Sequence, residues 1–156
     1  MRIRTPRSLA ARAVDCLSRR EYSRKDLRIK LARTLGEEAD FGEIDAVLDD
    51  LEARGYLSEK RFAESLVRSK AARFGDARLA RDMRRAGLDA ETIGKALETA
   101  EATEADRLRA LWLKKFGRPP RDHREKASQV RFLVARGFPL SCILRVIPDL
   151  DDDGAS

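Results

Sequence analysis

A chain of 156 residues that is 42% hydrophobic and 38% charged can build one or a few small cores but not a large one. No apolar run approaches the roughly 18 residues of a membrane span, and "MRIRTPRSLAARAV" lacks the apolar core and cleavage site of a signal peptide, so a cytoplasmic address is expected. The net charge of +6 falls in blocks: eleven Arg/Lys against three Asp/Glu over residues 2–33, ten acids against three bases over 37–64, seven bases against two acids over 68–85, and ten against two over 107–136. Such blocks make basic faces that attract polyanions or acidic protein surfaces, or else solvated helix faces.

Apolar residues recur at helical spacing almost everywhere and strand-like alternation is absent, which predicts an all-α protein of about nine helices, each of roughly 8 to 17 residues. Residues 1–8 are read as a flexible segment. The first helix carries Val14 and Leu17 on its apolar face and gives way to "YSRKDL". There Tyr22 and Leu27 have the spacing of a hydrophobic staple across a Ser23 cap, and Asp26 lies near the positive helix end. Ser8, Ser58 and Asp76 are further N-cap candidates, and Gly36, Gly55, Gly87 and Gly137 follow periodic segments where a left-handed terminating residue is wanted.

The stretch "LDDLEARGYLSEKRFAE", Leu48 to Glu64, resembles the approach to the wing of a winged helix. Yet Ser58 is a good cap, Leu57 and Phe62 repeat the staple spacing, and no pair of alternating strands follows, so the chain re-enters a helix. "FGDARL" repeats the spacing with Phe74 and Leu79. Beyond Phe116-Gly117, Pro119 and Pro120 break the next helix, which resumes in "KASQVRFLVARG". Cys16 and Cys142 have no ligand-spaced partner and read as small buried apolar residues; His123 lies in the loop "RPPRDHRE".

The chain also repeats with a period of about 50 residues. "IDAVLDDL", "IGKALETA" and "ILRVIPDL" share apolar residues at their first, fourth, fifth and eighth positions, one helical stripe that includes Leu97. Gly87 and Gly137 precede Ile93 and Ile143 by six residues; Gly36 precedes Ile44 by eight, a two-residue insertion. The expected organisation is three tandem three-helix repeats over 9–57, 58–102 and 103–150, forming an elongated, curved array with an acidic disordered tail at 151–156.

With this architecture, "YSRKDLRIKL", "VLDDLEARGYLSEKRFAE", "RFGDARLARDMRRAGLDAETI" and "KASQVRFLVARGF" resemble, in order and spacing, the RecX regulatory proteins, bacterial modulators of the RecA recombinase. The resemblance covers roughly residues 9–150, its most specific part being Gly55 to Ala63; Ser58 and Asp76 depart from the residues frequent in the family, and both can cap a helix. It implies a slender, curved helical protein that binds in the groove of the RecA nucleoprotein filament. It also implies suppression of filament extension, ATP hydrolysis, strand exchange and the co-protease activity that triggers the SOS response.

Signatures of catalysis are wanting: the chain has no phosphate-binding glycine loop, no H-E-x-x-H and no zinc-spaced cysteine pair, so no cofactor, metal or small-molecule substrate is expected. Functional weight falls on cations. Arg81, Arg84 and Arg85 share a helix face opposite Leu79 and Met83, with Arg68, Lys70, Arg73 and Arg78 nearby. Around the long third turn stand Lys114, Lys115, Arg118, Arg121, Arg124, Lys126 and Arg131. These are the candidate partner-binding faces, for an acidic protein surface and for the phosphate backbone of single-stranded DNA in the filament. Trp112, Phe62, Phe74 and Phe132 are expected to face the core, which speaks against base stacking. Two readings stay open: a non-enzymatic regulator on the RecA filament, and a stand-alone DNA-binding protein that inserts a helix as a helix-turn-helix does.

Overall fold

The computed structural model describes residues 7–150, and these residues are all-helical, with nine α-helices and no strand. The expected acidic tail and the first six residues of the expected flexible segment lie outside them. The helices are α1 (Leu9–Arg19), α2 (Arg24–Leu35), α3 (Phe41–Ala53), α4 (Glu59–Lys70), α5 (Asp76–Arg85), α6 (Ala90–Glu98), α7 (Glu104–Lys115), α8 (His123–Ala135) and α9 (Leu140–Val146). A 3-10 turn over Gly36–Glu38 takes up the two-residue insertion between α2 and α3.

Local chemistry sets most boundaries. Ser8, Ser23 and Ser58 accept hydrogen bonds from the amides of Ala11, Asp26 and Arg61 at 3.1, 3.1 and 3.2 Å, which satisfies donors that a helix start leaves orphaned. Asp40, Thr103 and Asp122 cap α3, α7 and α8 in the same way. Asp122 accepts from the amide of Glu125, and it starts α8 at His123, so that histidine is the exposed first residue of a helix rather than a loop residue. Gly55 (φ 79°) and Gly137 (φ 89°) supply the left-handed residue after α3 and α8. Helix α9 stops at Val146, short of the expected stripe residue Leu150. Pro148 disfavours helical geometry in the residue before it, and Ile147 is already extended (φ −72°, ψ 121°).

The described residues fold as two compact units, one of residues up to Ser65 with Met83–Ile93, the other of Leu66–Asp82 with the residues from Gly94 on. In the first, Leu9, Ala13, Tyr22, Leu27, Leu31, Ile44, Leu48, Leu51 and Leu57 form the core, with Cys16, Leu17 and Val47 partly buried against it. Val14 turns away from that core and is exposed, because the buried face of α1 runs through Leu9 and Ala13. In the second, Leu108, Trp112, Leu133, Phe138, Ile143 and Ile147 pack together. The indole N–H of Trp112 donates to Oε1 of the buried Gln129 at 2.9 Å, so that core carries no unsatisfied polar side-chain atom. Both cysteines are free and half-buried at the core edges, not enclosed.

Two joints between helices are built differently. At the first, Leu57 and Phe62 on either side of the Ser58 cap are both buried, while Tyr56 is exposed and contributes little. At "FGDARL" the cap position is Gly75, whose carbonyl accepts from Leu79, and Asp76 is the first residue inside α5. Asp76 therefore does not cap the helix. Its backbone amide is instead capped by Glu104 Oε2 at 2.6 Å. Gly75 also donates its amide to the Arg136 carbonyl at 2.8 Å, and a Cβ on Gly75 would collide with the backbone of Gly137 and Phe138. The chain crosses itself there at a distance only glycine allows.

Candidate partner-binding faces

In the first unit, the basic block of α2 meets the acidic block of α3. Arg24 pairs with Asp49 at 2.7 Å and with Glu52 at 3.3 Å, and Arg28 holds both carboxylate oxygens of Asp45 at 2.8 and 3.4 Å. The Arg28 hydrogen bond holds the Asp45 carboxyl below its ordinary range, against the opposing pull of partial desolvation. Arg61 reaches from α4 to the carbonyls of Gly55 and Tyr56 at 2.6 and 3.1 Å and to Glu21 at 3.1 Å. It thereby neutralises the negative end of α3. Charge that is uncompensated along the chain is compensated here across helices.

The cations chosen on sequence divide into two groups. Lys70 and Arg78 both approach Asp82, at 3.6 and 3.4 Å, Arg118 lies 4.0 Å from Glu125, and Lys126 meets Asp149 at 3.2 Å. Arg68, Arg73, Arg81, Arg84, Arg85, Lys114, Lys115, Arg121, Arg124 and Arg131 are exposed and make no ion pair among the described residues. On α5, Leu79 and Met83 are fully buried while Arg81, Arg84 and Arg85 face solvent, as the helical spacing requires. Their guanidinium groups are available for two-pronged contacts with carboxylate or phosphate.

Phe132 is half-buried and packs against the core of its unit, Phe74 is half-buried outside it, and cations lie against both rings. Arg73, Arg78 and Arg136 lie 5.5, 4.8 and 5.1 Å from the centre of the Phe74 ring. Lys115 and Arg136 lie 5.2 and 4.9 Å from that of Phe132, and Phe116 meets Phe132 edge-on at 5.5 Å. Arg136 is thus held between two rings. Phe132 lies one helical turn before it, whereas Phe74 is brought to it by the chain crossing at Gly75 and Gly137, which sequence spacing does not show.

Arg107 escapes a sequence reading for the opposite reason. It is 7% exposed and donates to the carbonyls of Ala71 and Phe74 at 2.9 and 3.3 Å and to Asp76 Oδ1 at 2.8 Å. It is a structural cation in a block that reads as surface. Beside it, burial raises the Glu104 carboxyl above its ordinary range, and the charge of Asp76 adds to this. Among the described residues no group of three His, Cys, Asp or Glu side chains is placed to hold a metal, and no helix is long and apolar enough to cross a membrane.

Comparison with known proteins agrees with the geometry. Residues 58–97 match the family description "RecX, second three-helix domain", and residues 102–147 match "RecX, third three-helix domain". The chain is 48% identical over 149 residues to the regulatory protein RecX of Ralstonia pickettii, covering 96% of this chain and 92% of that one. To the regulatory protein RecX of Ralstonia nicotianae it is 46% identical over 154 residues, covering 97% and 95%. The crystal structure of RecX from Lactobacillus salivarius superposes with a TM-score of 0.69 over 88% of this chain and 91% of that one, at 20% identity, a likeness of fold. From the helical fold, the domain matches and relatives aligned over nearly their whole length, the chain belongs to the RecX family of regulatory proteins.

Proposed function

We propose that this protein binds the RecA nucleoprotein filament in the cytoplasm and inhibits its extension, ATPase, strand exchange and co-protease activities, thereby moderating recombination and the SOS response. The observation that carries the reading is the set of exposed cations without carboxylate partners on α5, α7 and α8, in a chain whose relatives are regulatory proteins. These cations meet acidic protein surface, and any contact with single-stranded DNA is to phosphate. The three tandem repeats over 9–57, 58–102 and 103–150 are the scaffold proposed to present them. The protein acts by binding and not by catalysis.

The test is inhibition of RecA ATPase on single-stranded DNA. Wild-type protein at concentrations up to the RecA concentration is expected to suppress hydrolysis, and absence of suppression rejects the reading. A stand-alone helix-turn-helix role predicts instead a sequence-specific footprint on duplex DNA without RecA. No strand follows Leu57 among the described residues, so the wing of such a domain has no counterpart here.

A further inference from the structure

We propose that an open groove in the second compact unit is a docking site for an acidic peptide segment with an apolar anchor, supplied by a protein partner. The groove has a volume of about 560 Å³. Its apolar lining comes from Ala72, Ala102, Ala110, Leu111 and the ring of Phe132, and its cationic lining, besides Arg107, which is paired with Asp76, from Arg73, Lys114, Lys115 and Arg136. None of these four cations makes an ion pair among the described residues. This assignment rests on the reading of the chain as a protein-binding regulator.

Charge and shape select the occupant. Four cations without carboxylate partners around an apolar lining call for carboxylates flanking a leucine-like or phenylalanine-like side chain. Arg136 is parked between Phe74 and Phe132 and Arg73 over Phe74. A guanidinium stacked on a ring face keeps its N–H edge free for a carboxylate. The same stacking argues against nucleic acid. The Phe132 ring, which lines the groove, already has Lys115 and Arg136 at 5.2 and 4.9 Å from its centre, so a stacking base has to compete with these cations for it. Asp106 also lines the groove, and it repels a continuous row of phosphates, whereas a peptide places its carboxylates only where the cations are.

The experiment uses the full chain and fluorescence anisotropy. One labelled probe is a short synthetic peptide of Glu and Asp with Leu and Phe anchors; the second is the same peptide with Ser at the anchor positions. Unlabelled oligothymidine serves as competitor. The anchored peptide is expected to bind, and the Ser peptide to bind at least about tenfold more weakly, a difference of about 1.4 kcal/mol. Ala110→Glu, which places a carboxylate in the groove from an exposed position on α7, and Lys115→Glu are each expected to weaken binding by a similar factor. Arg33→Glu, on α2 in the other unit, is expected to leave it unchanged, and melting curves verify that all variants fold.

Equal binding of the two peptides, indifference to Ala110→Glu, or displacement by oligothymidine at the peptide's own concentration would overturn the proposal. Its failure is separable from that of the regulator reading. Wild-type protein that inhibits RecA ATPase but ignores the peptide rejects the groove alone, and wild-type protein that does not inhibit rejects the regulator.

Discussion

Arg107 carries a charge into a place that water barely reaches, and its three hydrogen bonds explain why the fold tolerates it. Replacing it with Leu keeps the bulk but leaves two carbonyls and Asp76 without their donor. We expect a loss of about 3 kcal/mol in urea unfolding, the scale of breaking a partnered buried charge. Asp45 is the contrasting case, a surface carboxylate that Arg28 holds below the ordinary aspartate range. Its contribution to stability is present above the unfolded-state pKa and is lost as pH falls through the lowered folded-state value. Asp45→Asn is therefore expected to lower the melting temperature slightly at neutral pH, with the gap to wild type closing as the pH drops below the aspartate range. Glu104 has the opposite sign: its carboxyl is raised by burial, so protonation across its window favours the folded chain.

At the scale of elements, the repeat stripes are not equally deep. Leu48 on α3 is fully buried, whereas Leu97 on α6 is half-exposed beside the buried Ala96. Leu48→Ala is expected to cost about 2 to 5 kcal/mol and Leu97→Ala less than about 2 kcal/mol, both measurable by chemical denaturation. By spacing alone Leu97 is the equivalent of Leu48, because a stripe shows which side of a helix turns inward but not how far. What can be read from the residues alone is whatever is decided within about one helical turn: serine caps, terminating glycines and the staples at Tyr22 and Leu57. Asp76 departs from that rule because a nonlocal residue, Glu104, caps the amide in its place and Arg107 claims its side chain. The roles of Arg24 and Arg28, and the Phe74 contact of Arg136, are likewise illegible in the sequence, since those partners lie on other helices or across a backbone crossing.

At the scale of the whole molecule, the block alternation of charge resolves into two behaviours. Between α2 and α3 opposite blocks neutralise each other, while the exposed arginines of α5 and the lysines ending α7 find no carboxylate among the described residues. The double variant Arg81→Glu with Arg84→Glu is expected to leave helicity and melting temperature nearly unchanged while raising the concentration for half-inhibition of RecA ATPase by about tenfold. Unfolding of that variant would instead make these arginines structural. The division into compact units has a consequence for biosynthesis. The first unit draws on Met83–Ile93 as well as residues up to Ser65, and the second on Leu66–Asp82 as well as residues from Gly94 on. Neither is a continuous piece of chain. On a ribosome the first unit cannot close until residues of the second have already emerged, so no single cut of the chain yields a fragment that contains either unit whole and nothing of the other.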